Sequence, residues 1–200
     1  GGANYIILAP GANDHITPLD IDEAAPLIAK SDALLLQMEI PQGAVAHAIG
    51  IAKAKGTRIF FDPAPALPLE KALLSGIDYL MPNETEAASL LGWPDFSPES
   101  AGLAVEAFCA LGVKHPVITL GDAGVAYWDG SRCVFAPSFP ARAVDTTAAG
   151  DTFTGALACA VVKGEPLDRA VAFAQRAASI CVTRKGASEA IPTLEEVLAQ

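Results

Sequence analysis

The chain lacks the means to cross a membrane: no apolar run approaches the ~20 residues that a spanning helix needs. Its start, Gly1-Gly-Ala-Asn4, carries no basic region ahead of a hydrophobic stretch, so no signal peptide is expected either. A soluble cytoplasmic protein is the simplest expectation. Cationic side chains are scarce, with 13 Lys and Arg against 23 Asp and Glu, a formal charge of -10 and a pI of about 4.6. Phosphate-backbone binding needs clustered Lys and Arg, so nucleic acid is not expected as a partner. The 4 cysteines, Cys109, Cys133, Cys159 and Cys181, stand far apart with no C-x-x-C. Neither a zinc site nor a redox pair is suggested, and they read as small buried apolar residues. G-x-x-x-x-G-K-[ST] and G-x-G-x-x-G are both missing, which removes support for a Walker-type NTPase or a Rossmann dehydrogenase.

What is present can build a sizeable core, since 52% of the 200 residues are hydrophobic and 18% are charged. Short β-rich runs at 5–9, 33–38, 58–61, 79–81, 117–120, 125–128 and 133–136 alternate with segments of helical period. Those helices are expected at 20–30, 43–55, 84–91, 99–111, 152–163, 167–183 and 194–199. Strands apolar throughout, such as IFF and LLL, fit a sheet covered on both faces. The alternation predicts a largely parallel α/β sandwich. Asp129-Gly130, between GVAYW and RCVFAP, signals a hairpin and hence a short antiparallel edge. No repeat or linker divides the chain, so residues 1–200 read as a single α/β domain.

One stretch raises a chemical question: Ala143-Val-Asp-Thr-Thr-Ala-Ala-Gly-Asp-Thr-Phe-Thr-Gly-Ala-Leu157 places an acid behind Ala-Ala-Gly where a helix begins. In an open α/β sheet ligands gather at the carboxyl ends of strands, beside helix N-termini. The small residues Ala148, Ala149 and Gly150 allow a ligand close to the backbone, and the first helical N–H groups favour an anion. Asp151 has two readings there, an ordinary helix N-cap or a carboxylate that takes a proton from an attacking hydroxyl. Asn83 and Glu86 have the spacing of an N-cap and its N3 acid. Thr119-Leu-Gly-Asp-Ala-Gly124 reads as a strand-to-hairpin turn, and Thr183-Arg-Lys-Gly-Ala187 carries ordinary helix stop signals. Glu39 is a lone acid at the end of an apolar strand.

Several separated segments resemble the ribokinases, and more broadly the PfkB-type carbohydrate kinases. They are Asp62-Pro-Ala-Pro-Ala66, Met81-Pro-Asn-Glu-Thr-Glu-Ala87, Ile118-Thr-Leu-Gly-Asp-Ala-Gly-Val125, the stretch 143–157 and Val182-Thr-Arg-Lys-Gly-Ala187, in the family's order. The resemblance implies a three-layer α/β/α sandwich and ATP-dependent phosphorylation of a sugar's primary hydroxyl, with D-ribose preferred. It makes Asp151 similar to the catalytic base, and Ala148, Ala149 and Gly150 similar to the anion hole. It sets Asn83 near the ATP phosphates and Glu86 near a hydrated Mg²⁺. The segment Thr119, Leu120, Gly121, Asp122, Ala123 and Gly124 is implied to contact ATP, with Gln175 where relatives commonly carry a histidine near the adenine. Glu39 is similar to a ribose-contacting glutamate. A K⁺ site is implied at Asp145, the carbonyl of Thr147 and carbonyls near Cys181, Arg184 and Gly186, although Ala190 stands where relatives often have a serine.

The resemblance covers the C-terminal two thirds of the family. The first strands, most of the lid and the paired glycines and acid that grip the sugar are expected to lie ahead of the segment resembling residues 4–13. The parent protein is therefore expected to be a homodimeric ribokinase, and the 200-residue chain alone to be inactive. The alternatives are a non-catalytic nucleotide-binding remnant, or a related kinase for another sugar or nucleoside.

Overall fold

The computed structural model describes residues 9–199. A six-stranded sheet carries the chain order β1-β2-β3-β4-β5-β6. The strands are β1 (Ala33–Leu36), β2 (Arg58–Phe61), β3 (Tyr79–Leu80), β4 (His115–Thr119), β5 (Val125–Trp128) and β6 (Cys133–Ala136). β1 to β4 pair in parallel, and β5 and β6 add an antiparallel edge through the Asp129-Gly130 turn. The helices are α1 (Pro18–Ile28), α2 (Gln42–Lys55), α3 (Glu84–Leu91), α4 (Ala101–Ala110), α5 (Ala149–Val162), α6 (Leu167–Cys181) and α7 (Leu194–Leu198). The strand expected at 5–9 falls on residues 5–8 outside the described ones, and Ala9 belongs to no strand.

Strand side chains alternate between two cores. Ile59, Phe61, Ile118 and Ala126 pack with Val45, Ile49, Val105 and Phe108 of α2 and α4 on one face. Phe60, Val117, Val125 and Tyr127 pack with Phe153, Leu157, Val171 and Ala174 of α5 and α6 on the other. That places the apolar strands between two helical layers, as their lack of polar alternation requires. Phe60, Phe61 and Phe108 are fully buried, and each contributes up to ~3 kcal/mol of transfer free energy. No described helix is long and apolar enough to cross a membrane.

Local signals set the element ends. Gly56 and Gly92 stop α2 and α3 in the left-handed conformation that glycine tolerates. Asn83 accepts from the Glu86 N–H at 2.9 Å, while Glu86 accepts from the Asn83 N–H at 2.8 Å, so the capping box read in the sequence is formed.

Candidate functional site

Because β1 to β4 run parallel, their carboxyl ends open on one edge of the sheet. Gln37 and Glu39 follow β1, Asp62 follows β2, Asn83 follows β3 and the 120–124 turn follows β4. The ladders continue past the strands through Asp62 N–H to the Leu36 carbonyl (2.9 Å), Met81 N–H to Phe61 (2.9 Å) and Thr119 N–H to Pro82 (3.0 Å), fixing these loop starts to the sheet.

Helix α5 starts on the same edge, at Ala149 rather than at the expected Thr152. Its N-cap is Ala148, left-handed at φ 61° and ψ 11°, which is the one non-glycine residue with positive φ among the described residues. A side chain there costs about 1–2 kcal/mol. The N-cap reading of Asp151 is thereby corrected: Ala148 holds that position without a capping oxygen, and Asp151 is the exposed third residue of the helix. The Ala149 N–H bonds the Thr146 carbonyl and the Thr152 N–H the Ala148 carbonyl. Between them, the N–H groups of Gly150 and Asp151 have no acceptor among the described residues, so the helix start presents unspent donors.

Two cavities flank this turn. The smaller, about 180 Å³, is lined by Glu39, Asp62, Glu86, Asp151 and Thr154 among others. The larger, about 590 Å³, is lined by Gly121, Asp122, Gly124, Phe139 and Gln175 among others. Asn83, Thr119, Gly150 and Phe153 line both, where the two cavities adjoin. Asp151 faces only the smaller one.

Asp62 is 8% exposed at the base of the smaller cavity, with the Thr154 hydroxyl donating to it at 3.4 Å. Burial, then the charges of Glu86 and Asp151, push its pKa up to about 7. Burial also raises that of Glu86, against the lowering effect of the Asn83 N–H.

The rim of the larger cavity is tightly built. A Cβ on Gly124 would overlap the Ala136 carbonyl oxygen, so only glycine lets the turn approach the 136–138 backbone. Ser138 Oγ donates to the Asp122 carbonyl at 2.6 Å, and Gln175 Nε2 donates to the Ala136 and Pro137 carbonyls at 3.2 and 3.1 Å. The Arg176 guanidinium lies 5.1 Å from the Phe139 ring centroid.

A third cluster lies ahead of α5. Asp145 Oδ1 accepts from the Thr147 N–H (3.0 Å) and hydroxyl (2.7 Å), and Oδ2 accepts from the Gly186 N–H (3.3 Å). These donors hold the Asp145 carboxyl below its ordinary pKa, the Thr147 N–H most of all. Cys181 Sγ stands 3.7 Å from the Thr147 carbonyl. The Arg184 side chain turns away to Glu196 at 2.6 Å, and Ala190 is fully buried with no hydroxyl to offer.

The structure thus gathers Glu39, Glu86 and Asp151 at one cavity, and Gly121, Asp122, Gly124 and Gln175 at the other, with Asn83, Thr119 and Gly150 between. Ala149 lines the larger cavity, whereas Leu120 is packed in the core and neither it nor Ala123 lines the cavity. Sequence reasoning assigned no role to Asp62, Thr154, Ser138 or Phe139. For Asp62 the signal was available, an acid ending the apolar run IFF, the same pattern that singled out Glu39.

The chain is similar to known ribokinases in sequence and in fold. The ribokinase of Haemophilus influenzae is 42% identical over 195 residues, which is 98% of this chain and 64% of that protein. The crystal structure of ribokinase from Thermotoga maritima matches with a TM-score of 0.88 at 40% identity, covering 99% of this chain and 65% of that one. Arabidopsis thaliana ribokinase complexed with ribose and ATP matches with a TM-score of 0.90 at 37% identity, again over 99% and 65%. The chain therefore spans just under two thirds of the length of these relatives. The pfkB carbohydrate kinase family matches residues 1–194, and with that coverage in sequence and the same three-layer fold, the chain belongs to the pfkB family of carbohydrate kinases.

Proposed function

We propose that the protein serves ATP-dependent phosphorylation of a sugar primary hydroxyl, D-ribose to D-ribose 5-phosphate. The observation that carries this reading is the shared border: Gly150 lines both a nucleotide-sized cavity and a smaller polar one, with unspent N–H groups at the turn. In the proposed reaction the sugar oxygen attacks the γ-phosphorus, the bond to the β-phosphate oxygen breaks, and the hydroxyl proton passes to the Asp151 carboxylate. The N–H groups of Gly150 and Asp151, held by the Ala148–Ala149 turn, balance charge on the transferring group. Glu39 holds a sugar hydroxyl. Asn83, Thr119, Gly121, Asp122 and Gly124 border the phosphates and Gln175 the base. The ribose preference draws support from the ribokinase relatives.

The residues fit a hydrated Mg²⁺, since Glu86 is a buried carboxylate facing the smaller cavity beside Asn83. The ion would supply positive charge to the phosphates. Asp145 and the Thr147 carbonyl, near Cys181 and Gly186, offer the hard oxygen ligands that suit K⁺.

The test is ribose-dependent ADP formation by the chain alone and by the chain joined to the N-terminal third of the Thermotoga maritima ribokinase. Transfer is expected in the joined protein and little in the chain alone. Asp151→Asn should reduce the joined protein's kcat by about 10²–10⁴-fold, the scale of general-base catalysis. ATP binding without transfer in either form would favour the second reading, a nucleotide-binding module.

A further inference from the structure

The cysteines stand far apart in sequence, yet the fold brings two of them to one place. Cys133 opens β6, Cys109 lies in the last turn of α4, and α4 packs against that strand. Strand alternation sends Val134 and Ala136 toward the core under α5 and α6, and Cys133 toward the core under α4. Phe135 takes the α4 side as well, its ring edge 4.0 Å from where a Cβ on Gly102 would stand.

Topology sets the direction of helix on strand. β5 runs against β4 and β6 against β5, so β6 runs with β4, while α4 leads into parallel β4 and runs back against it. A later residue of α4 therefore meets an earlier residue of β6. Cys109 follows Gly102 by about two helical turns and shares its face, and Cys133 precedes Phe135 on the same side of the strand. Glu106 lies between Gly102 and Cys109 on that helical face. The side chains are close enough to act on one another: Burial, then the charges of Cys133 and Glu106, push the Cys109 thiol up, and burial, then Glu106, push up Cys133. Both cysteines are half-buried, whereas Cys181 is buried and Cys159 sits exposed on α5 at the other face of the sheet.

We propose that Cys109 and Cys133 form an oxidisable dithiol, a modification site apart from both cavities, which a peroxide closes to a disulfide between the end of α4 and the start of β6. One thiolate attacks a peroxide oxygen, the O–O bond breaks, and a sulfenic acid forms with release of hydroxide. The second thiolate attacks that sulfur, the S–S bond forms and the S–O bond breaks, releasing another hydroxide. The two thiol protons turn both hydroxides into water, so two thiols and one hydrogen peroxide give one disulfide and two waters. β6 ends at Ala136, whose carbonyl Gln175 holds at the rim of the larger cavity, so the bridge anchors the strand behind that rim.

The experiment treats the dilute 200-residue chain with excess hydrogen peroxide, alkylates the remaining thiols, and maps peptides of the monomer fraction without reduction. The Cys109 and Cys133 peptides are expected to be linked, at least about 10-fold in excess of any other cysteine pair, because neighbouring thiols react as one intramolecular unit. Dithiothreitol should release them. The oxidised chain should unfold at higher urea than the reduced one, a shift that Cys133→Ser should lose. Separate oxidation or alkylation of the two cysteines overturns the proposal, as does preferential linkage of either to Cys159, and neither result needs a variant to fold. Thiols that both stay free under peroxide overturn it equally.

Discussion

Gly124→Ala tests whether the wall of the larger cavity is as rigid as its contacts imply. Gly124 has φ 112° and ψ -134°, in a region that side chains essentially avoid, and adopting it costs about 1–3 kcal/mol. The added methyl would also overlap the Ala136 carbonyl oxygen and lie 2.9 Å from the Ser138 nitrogen and 3.0 Å from the Pro137 carbonyl carbon. All three neighbours are backbone, so no side chain can swing aside, and overpacking of this kind costs about another 1–3 kcal/mol. The total, about 2–6 kcal/mol, is a large share of a domain's ~5–15 kcal/mol. At about 2–4 °C per kcal/mol for a chain of this length, the thermal midpoint should fall by about 4–24 °C. Urea unfolding followed by circular dichroism measures the loss, and ATP titration at a temperature where the variant is folded measures the site. Since displaced 136 and 137 carbonyls release Gln175, ATP should bind at least about 10-fold more weakly. A stability loss below about 1 kcal/mol with unchanged ATP affinity would refute the reasoning, because the 136–138 backbone would then be yielding freely.

Gly150→Ala should act in the opposite sense: nothing lies within 4 Å of the added Cβ and the residue is helical, so stability should hold or rise by up to about 1 kcal/mol while ATP binding falls, as paired unfolding and binding curves would show. Ala148→Gly relieves the left-handed conformation and should change urea stability by less than about 1 kcal/mol, strain relief opposing the looser unfolded chain, whereas Ala148→Val should lose at least 1 kcal/mol more. For Asp62, a folded pKa of about 7 against 3.8 means that the folded state keeps a proton the unfolded chain releases. Its contribution is complete below about pH 4 and lost as pH rises through 7, so Asp62→Asn should flatten the fall in stability between pH 5 and 8; an equally steep fall in the variant would contradict this.

Much of the framework was legible because turn residues bracket the apolar runs. The strands at 58–61, 125–128 and 133–136 and the helix at 84–91 begin and end where the sequence reading put them. β4 differs, starting at His115 rather than Val117, because Pro116 lies where the ladder to β5 has not yet begun and its missing N–H leaves no bond unmade. α5 starts early because an alanine supplies the left-handed turn, and nothing in the residue type announces that conformation. Asp62 was legible as an acid ending an apolar strand, but its place at the cavity was not. Its partner Thr154 is 92 residues away, and only the packing of α5 over the end of β2 turns a strand-end acid into the base of a cavity. Periodicity reports which face a residue takes, and such non-local meetings leave no local trace.

Asn83, Thr119, Gly150 and Phe153 each line both compartments, so the two share a border. A ligand in either compartment would meet side chains that a ligand in the other also meets. Any ligand that shifts this border from one side alters the space offered on the other, and thermodynamic reciprocity makes the two effects on affinity equal. A substitution at this border should be scored by its coupling free energy between the two ligands, a quantity that neither single affinity contains.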